Sequence, residues 1–298
     1  MIKKILYYVS WIFKCYFLNK KIPLTSSIII TDKCNLHCRH CCVSNLGYHN
    51  FSYDKITKQI KKLYSFGARI LVISGGEPFV WHSKNKTVED IVLFAKRIGF
   101  FRVVICTNGT FDLSSSADYL WVSMDGSEKT HNKIRGSIFN KVWENINNSS
   151  HKNIFLNYTI SKYNFKSFYV DFKNIIENRK IKGVLFHFFT PYIGTDSSLL
   201  LNNKEKHIAL RTLLKLKKRH PIKISNTFDG IKLLLSNQWK RPIWSSILIC
   251  DDIISECCCR KGIYNIMICS ICGCTPSVET YVIQKLKPLA IIENLKFL

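Results

Sequence analysis

Short runs of β-branched and aromatic residues alternate with amphipathic stretches from about residue 26 to about residue 220, and this alternation limits the possible folds more than any other feature. It predicts strands at 27–31, 70–74, 101–107, 119–124, 154–160 and 184–190, and helices near 53–66, 87–98, 138–148, 166–179 and 204–219. Strands that alternate with helices pair in parallel, because each helix returns the chain to the same end of the sheet. The sequence therefore predicts an α/β fold whose parallel sheet is either open or curved into part of a barrel.

Polar and glycine-rich motifs follow four of the predicted strands. The first strand is followed by TDKCNLHCRHCC, the second by GGEP, the third by TNGT and the fourth by DGSEKTHNKIRG. The carboxyl ends of parallel strands lie at one edge of the sheet, where ligands bind in such folds. We therefore expect the four motifs to meet in one site.

The first motif contains Cys34, Cys38 and Cys41 in a C-x3-C-x2-C spacing. Three thiolates on one loop can bind three irons of an iron–sulfur cube and leave the fourth iron open to a substrate. A structural zinc site is the alternative, with a histidine of the loop or Cys42 completing the ligand set. Most other cysteines gather between 250 and 274, and this clustering favours metal binding in a reducing compartment over a secreted disulfide framework.

The second motif joins two glycines to an acid and a proline. Gly75 and Gly76 allow the backbone to approach a ligand closely, and Glu77 places a carboxylate beside them, a combination that suits an ammonium group. The same four residues are also typical of a tight turn between a strand and a helix.

The third and fourth motifs add further polar candidates. Asn108 belongs to an Asn-Gly dipeptide, which is more typical of a turn. Ser123 and Asp125 flank a methionine at a strand end, where alternation directs both side chains to the same face, as recognition of a ribose requires. Arg135 suits a carboxylate, although a lone arginine is more often a surface residue.

Taken together, CNLHCRHC, GGEP, TNGT, SMDG and HNKIRG resemble, in this order and spacing, the radical S-adenosylmethionine (radical SAM) enzyme superfamily. The resemblance covers roughly residues 23–200. It implies a partial (β/α)6 TIM-like barrel, in agreement with the six strands predicted from the pattern alone.

The resemblance also implies cofactors. Cys34, Cys38 and Cys41 would bind a [4Fe-4S] cluster, whose open iron receives the amino and carboxylate groups of S-adenosylmethionine. A low-potential donor such as a ferredoxin or flavodoxin would reduce the cluster, which then cleaves the sulfonium to a 5′-deoxyadenosyl radical that abstracts hydrogen from the substrate. The residues implied to contact S-adenosylmethionine are Gly75, Gly76, Glu77, Pro78, Asn108, Ser123, Asp125 and Arg135.

The chain departs from the family pattern at three positions. His40 stands where an aromatic residue usually precedes the third cysteine, and we expect this change to alter the packing or the potential of the cluster. Cys42 allows a rival C-x3-C-x3-C register, and Asn132 replaces a common aspartate.

A second group of thiols lies near the C-terminus: Cys250, Cys257, Cys258, Cys259, Cys269, Cys272 and Cys274. It predicts a small cysteine-rich appendage that holds an auxiliary iron–sulfur cluster or a structural zinc, with unliganded or redox thiols as the third interpretation. The spacing does not identify which four of the seven would bind.

The segment MIKKILYYVSWIFKCYFLNKK is apolar and aromatic between lysines. Its apolar run of about 14 residues is shorter than the roughly 20 that a membrane-spanning helix needs. It predicts a helix that docks on the domain or lies at a membrane surface, with a signal peptide or a span as the third interpretation. The chain is thus divided into an N-terminal helix (1–22), a barrel core (23–222) and a cysteine-rich extension (223–298).

Lysines and arginines outnumber acids 44 to 20, for a formal net charge of +24. Lys, Asn and Ile are all abundant, as a biased base composition produces, so the charge does not require a nucleic acid partner. We expect a cytoplasmic radical SAM enzyme with a possible membrane contact through its N-terminal helix, acting on a peptide, a lipid or a nucleic acid. The alternative is a non-catalytic metal-binding module with a structural or nucleic-acid-binding role.

Overall fold

The computed structural model describes residues 2–43, 49–257, 259–295 and 297. The strands are β1 (Thr25–Ile29), β2 (Ile70–Ser74), β3 (His82–Ser83), β4 (Lys86–Thr87), β5 (Arg102–Thr107), β6 (Tyr119–Ser123), β7 (Ile154–Ile160), β8 (Ile181–Phe188), β9 (Ser246–Cys250) and β10 (Ile253–Glu256). The helices are α1 (Ile2–Tyr16), α2 (Tyr53–Ser65), α3 (Val88–Ile98), α4 (Glu128–Arg135), α5 (Phe139–Asn148), α6 (Phe168–Ile176), α7 (Asn203–Arg219), α8 (Phe228–Ser236), α9 (Ile266–Ser270), α10 (Thr275–Gln284) and α11 (Pro288–Asn294).

The main sheet has the strand order β10-β9-β1-β2-β5-β6-β7-β8. All neighbours from β9 to β8 pair in parallel, and β10 alone runs antiparallel at the edge. The six strands and five helices predicted from the sequence lie within about three residues of their observed bounds. The predicted α/β fold with a parallel sheet is therefore confirmed.

The two faces of the sheet carry different side chains. Residues such as Ile73, Ile105 and Val122 are fully buried in the hydrophobic core. The alternate positions, such as Val72 and Trp121, line one internal cavity to which strands β1, β2, β5, β6, β7, β8 and β9 all contribute. Side chains from seven neighbouring strands share one cavity because the sheet curves around it as part of a barrel.

Strands β9 and β10 belong to the C-terminal region, where the sequence pattern predicts no strand. Strand β9 pairs with β1, and its residue Ile249 is fully buried in the main core. Helix α10 contacts β8, and its residues Pro276, Glu279, Thr280 and Ile283 line the internal cavity. These four positions follow the i, i+3, i+4, i+7 spacing of one helix face. Residues beyond 222 thus share the barrel's core, while the domain boundary placed there remains a prediction.

Helix α1 packs against the barrel through one face only. Trp11 is 3 % exposed, and its indole nitrogen donates a hydrogen bond of 2.9 Å to the carbonyl of Ile22. The Tyr7 hydroxyl donates to the carbonyl of Gly67. Within the described residues, no helix is both long enough and apolar enough to cross a membrane.

If β9 is an integral strand, Ile249→Ala should destabilise the whole barrel. Removing a fully buried side chain of this size lowers the free energy of unfolding by about 2–5 kcal/mol. Denaturant unfolding followed by circular dichroism should show the main transition at a lower midpoint. Ile253→Ala, the same substitution at a position of β10 that is 49 % exposed, is the matched control and should change little. An unchanged main transition in Ile249→Ala would contradict this role of β9.

Candidate active site

A cavity of about 320 Å³ opens at the carboxyl ends of the strands, and we call it the mouth cavity. Among the residues predicted from the sequence, those that line it are Cys34, Cys38, Cys41, Gly75, Gly76, Asn108, Ser123 and Arg135. Glu77, Pro78 and Asp125 are buried behind this lining. The structure thus brings the four strand-end motifs together.

The two glycines of the second motif lie directly against the start of the cysteine loop. A Cβ atom on Gly75 would lie 2.2 Å from the carbonyl oxygen of Thr31, and one on Gly76 would lie 2.2 Å from that of Lys33. The Gly76 amide donates to the Thr31 carbonyl at 2.8 Å, and the Glu77 amide to the Lys33 carbonyl at 2.9 Å. Any side chain at either glycine would push the two motifs apart, because the clashing atoms are backbone.

Glu77 joins the second motif to the third. Its carboxylate, which is fully buried, accepts hydrogen bonds from the Thr107 hydroxyl at 2.8 Å, the Asn108 amide at 2.6 Å and the Phe79 amide at 3.1 Å. Burial raises the pKa of Glu77, and the three donors oppose that rise. Pro78 begins a short 3₁₀ helix immediately after it. Both carboxylate oxygens of Glu77 therefore accept hydrogen bonds from the protein. The residues of this motif that line the mouth cavity are Gly75 and Gly76.

The sulfur atoms of the cysteine loop receive hydrogen bonds from the other motifs. Asn108 donates through its amide nitrogen to Cys34 Sγ at 3.8 Å, and Arg135 donates through Nη1 to Cys38 Sγ at 3.9 Å. Burial raises the pKa of the Cys34 thiol to about 11. A cysteine binds a metal only after it has lost its proton. Because burial disfavours the thiolate here, a bound metal cation would be needed to stabilise it. Soft sulfur donors that share one cavity and accept hydrogen bonds fit an iron–sulfur cluster.

A buried ion pair lies behind the cysteine loop. Arg135 donates through Nε to Asp125 at 2.6 Å, and the Thr159 amide donates to the other oxygen of this carboxylate at 2.7 Å. Burial alone would raise the pKa of Asp125, but Arg135 and other neighbours hold it below its ordinary value. The ribose contact predicted for Ser123 and Asp125 remains a prediction: Ser123 lines the mouth cavity, whereas Asp125 is turned toward Arg135.

His40 is part of the same network. Burial, together with the charge of Arg135, lowers the pKa of His40 to about 4. Arg135 Nη2 lies 3.2 Å from His40 Nε2, and an arginine can only donate, so Nε2 accepts and the proton of the neutral ring lies on Nδ1. This Nδ1 is buried and has no hydrogen-bond partner among the described residues. His40, the position that departs from the family pattern, therefore lines the mouth cavity as a neutral ring held by Arg135.

The other two departures have different surroundings. The side-chain oxygen of Asn132 accepts hydrogen bonds from the amides of Ile138 at 3.1 Å and Phe139 at 2.9 Å, where helix α5 begins. Cys41 and Cys42 both line the mouth cavity. Asn132 thus shapes the loop after Arg135, and the choice between the two cysteine registers remains a prediction.

Three further lining residues, Cys106, Asn157 and Thr159, were not among the sequence predictions. Asn157 and Thr159 interrupt the apolar run of β7 at alternate positions, and this period of two was the signal that could have identified them. His187 also lines the cavity, and its Nε2 lies 3.0 Å from Asn157 Oδ1. Thr190 and Tyr192 line the cavity from the segment after β8.

The C-terminal cysteines separate into different places. Cys257, Cys259, Cys269 and Cys272 surround a small pocket of about 20 Å³, which we call the tail pocket. Cys250 ends β9 away from this pocket, Cys274 lines the mouth cavity, and Cys258 lies outside the described residues.

Arg241 and Tyr264 also line the tail pocket. Burial raises the pKa of Cys257 to about 12. In the part of the chain that the structure describes, no group of three or more His, Cys, Asp or Glu side chains is close enough together to hold a single metal ion.

The comparisons with known proteins agree with this geometry. The model of the Radical SAM superfamily matches residues 28–164. Fe-coproporphyrin III synthase from Methanosarcina barkeri is 30 % identical over 186 residues, which cover 57 % of this chain and 45 % of that protein. GTP 3′,8-cyclase from Limosilactobacillus fermentum is 31 % identical over 223 residues, which cover 66 % of this chain and 64 % of that protein. The chain therefore spans from under half to just under two thirds of these relatives.

Solved structures share the fold. Streptococcus suis SuiB, in a crystal structure with bound S-adenosylmethionine, superposes with a TM-score of 0.67 at 13 % identity, covering 85 % of this chain and 64 % of that one. At this identity the likeness shows the fold alone, and it confirms the partial barrel. Members of the matched family use a [4Fe-4S] cluster and S-adenosylmethionine, the cofactors that the cysteine loop and the mouth cavity suit. The family model, the relatives and the fold agree with the motifs, and residues 28–164 of this chain match the radical SAM superfamily.

Proposed function

We propose that this chain is a radical SAM enzyme that reductively cleaves S-adenosylmethionine and abstracts a hydrogen atom from a substrate in the mouth cavity. The observation that supports this most directly is the convergence of Cys34, Cys38 and Cys41 on one cavity with Gly75 and Gly76. When bound, the cluster and S-adenosylmethionine supply a 5′-deoxyadenosyl radical, which takes hydrogen from an unreactive carbon.

The residues of the chain bind and orient these groups. Cys34, Cys38 and Cys41 bind the cluster, and the hydrogen bonds that Asn108 and Arg135 donate to two of the sulfurs tune its potential. The glycine pair leaves room for the methionine end of S-adenosylmethionine. Ser123 meets the ribose. Arg135, held in place by Asp125, meets the carboxylate.

An external protein supplies the electron. A low-potential donor such as a ferredoxin or flavodoxin suits this role, since a chain with a net charge of +24 attracts anionic partners.

Cys38→Ala should abolish the reaction, because the cluster then loses one of three protein ligands. With anaerobically reconstituted protein, dithionite and S-adenosylmethionine, the release of 5′-deoxyadenosine should fall more than about 100-fold, beyond the 10–100-fold typical of residues that only support a ligand. Cys15→Ala, at a buried thiol of helix α1, is the matched control and should release the product like the unmodified chain. Product release from Cys38→Ala would contradict the role of Cys38 as a cluster ligand. No product from the unmodified protein with its cluster loaded, or zinc in its loop, would support the non-catalytic alternative.

The tail pocket extends the proposal to a second metal centre. Cys257, Cys259, Cys269 and Cys272 line it together, and four thiolates are the usual ligand set of an auxiliary iron–sulfur cluster. A structural zinc has the same ligand set, so the metal is decided by experiment.

Cys269→Ala should remove about half of the bound iron and leave the cluster of the Cys34 loop in place, if each site holds one four-iron cluster. Metal analysis and the electron paramagnetic resonance signal of the reduced protein measure the two effects. Cys250→Ala is the matched control, because Cys250 lies outside the tail pocket, and it should keep the full iron content. Loss of zinc instead of iron would identify the structural site, and unchanged metal content would contradict a metal centre in the tail pocket.

The exposed face of helix α1 supports a contact with a membrane surface. Its apolar side chains Ile2, Val9 and Phe13, and that of Phe17 just after the helix, are between 53 % and 73 % exposed, while the opposite face is fixed on the barrel. Lys3 and Lys14 are exposed on the same helix, and Lys20 and Lys21 follow it in the sequence, whereas Lys4 donates to the carbonyl of Phe101. An amphipathic helix of this composition binds at the interface of an anionic bilayer.

Val9→Asp should weaken binding to vesicles of phosphatidylcholine and phosphatidylserine by about tenfold, because one apolar contact with the bilayer is lost and a negative charge is added. Cosedimentation measures the bound fraction. Val170→Asp, the same substitution at a site of helix α6 that is 57 % exposed, should bind like the unmodified chain. Equal binding by Val9→Asp would rule out α1 as the contact.

A further inference from the structure

The interior of the barrel holds a second cavity, of about 340 Å³, below the mouth cavity. We call it the barrel chamber. Barrel interiors are normally filled by layers of bulky branched side chains. In this chain several inward positions carry small residues instead, among them Ser27, Ser74 and Cys106, and space remains between the walls. The volume falls within the roughly 300–1,000 Å³ of small-molecule sites.

The walls of the barrel chamber are largely apolar. Val72, Leu185 and Leu248 line it from three different strands. Trp121 and Phe297 also line it, and their ring centroids lie 5.7 Å apart. Protein interiors are otherwise close-packed, so a void of this size in an apolar wall is a place for an apolar ligand.

The barrel chamber meets the mouth cavity. Ser74, Cys106, Asn157 and His187 line both spaces. A molecule held in the chamber therefore presents one end at the place where S-adenosylmethionine is proposed to bind.

One acidic side chain interrupts the apolar wall. Glu279 lines the chamber and is 8 % exposed. Its Oε1 accepts a hydrogen bond from the Thr227 amide at 3.0 Å, and its Oε2, which is buried, has no hydrogen-bond partner among the described residues. Burial raises the pKa of Glu279 to about 7. A buried polar atom without a partner is uncommon, and a ligand that donates a hydrogen bond would satisfy it.

From these contacts we propose that the substrate carries an apolar chain, that this chain lies in the barrel chamber, and that a hydroxyl or amino group on it donates to Glu279. The proposal rests on the proposed function, because the reacting carbon is placed at the junction with the mouth cavity. The sequence left the substrate open among a peptide, a lipid and a nucleic acid. The proposed substrate is a small apolar molecule with one hydrogen-bond donor.

Binding of straight-chain alcohols tests the chamber directly. N-phenyl-1-naphthylamine, whose fluorescence rises in an apolar site, is bound to the full-length reconstituted protein and displaced by 1-alkanols of increasing length. Affinity should rise about fourfold per methylene group and then level off when the chain fills the chamber. A continued rise without a plateau would indicate binding to an open surface such as helix α1, and would overturn the proposal.

Filling the chamber provides the matched comparison. Val72→Trp should weaken alkanol binding at least tenfold, whereas Val170→Trp, on the exposed face of α6, should bind like the unmodified chain. Thr280→Phe fills the chamber from the α10 side and serves if Val72→Trp does not fold, as judged by circular dichroism. Unweakened binding in a folded filled variant would overturn the proposal.

The role of Glu279 is tested with two isomers. 1-Octanol donates a hydrogen bond, and methyl heptyl ether has the same atoms without a donor. The unmodified chain should prefer the alcohol about fivefold, the equivalent of one hydrogen bond of about 1 kcal/mol. Glu279→Leu should lose the preference. Equal affinities in the unmodified chain would remove Glu279 from the proposed site.

Release of 5′-deoxyadenosine by the unmodified protein distinguishes a failure of the chamber proposal from a failure of the proposed function. If the product is released and the filled variants still bind alkanols, the chamber proposal fails and the proposed function stands. If alkanols bind as expected and no product is released, the chamber stands and the proposed function fails.

Discussion

The site depends on the close backbone contact between the first two strand-end motifs. Gly75 and Gly76 lie against Thr31 and Lys33 so closely that a Cβ atom would overlap their carbonyl oxygens. The parallel pairing of β1 with β2 brings these two strand ends to the same edge, and the Gly76–Thr31 hydrogen bond of 2.8 Å continues the ladder beyond it. The start of the cysteine loop is therefore positioned mainly by contacts between backbone atoms.

Two buried carboxylates then connect the remaining motifs to this pair. Glu77 joins the GGEP motif to the TNGT motif through donors at 2.6 and 2.8 Å. Asp125 holds Arg135, which in turn donates to Cys38 and His40. Buried charges are stable only when they are paired or hydrogen-bonded, so these contacts are strongly constrained. The two acids consequently order the residues around the mouth cavity.

The C-terminal region completes the barrel in addition to carrying cysteines. Strand β9 extends the sheet beside β1, and one face of α10 lines the interior. The cysteines of this region lie in different places: four line the tail pocket, whereas Cys274 lines the mouth cavity. The same helix places Glu279 in the wall of the barrel chamber. The barrel and the C-terminal region therefore share the walls of both cavities.

The sequence by itself determined the six strands and five helices of the alternating region, the order of the four motifs and eight of the residues that line the mouth cavity. Local periodicity encodes these features, because a strand repeats every two residues and a helix every 3.6. It did not reveal β9, whose short apolar run lies outside the alternation, or the grouping of Cys257, Cys259, Cys269 and Cys272. It also did not show that Glu77 and Asp125 face protein donors. Only the tertiary structure decided these, since they depend on contacts between segments that are far apart along the chain, which no local pattern records.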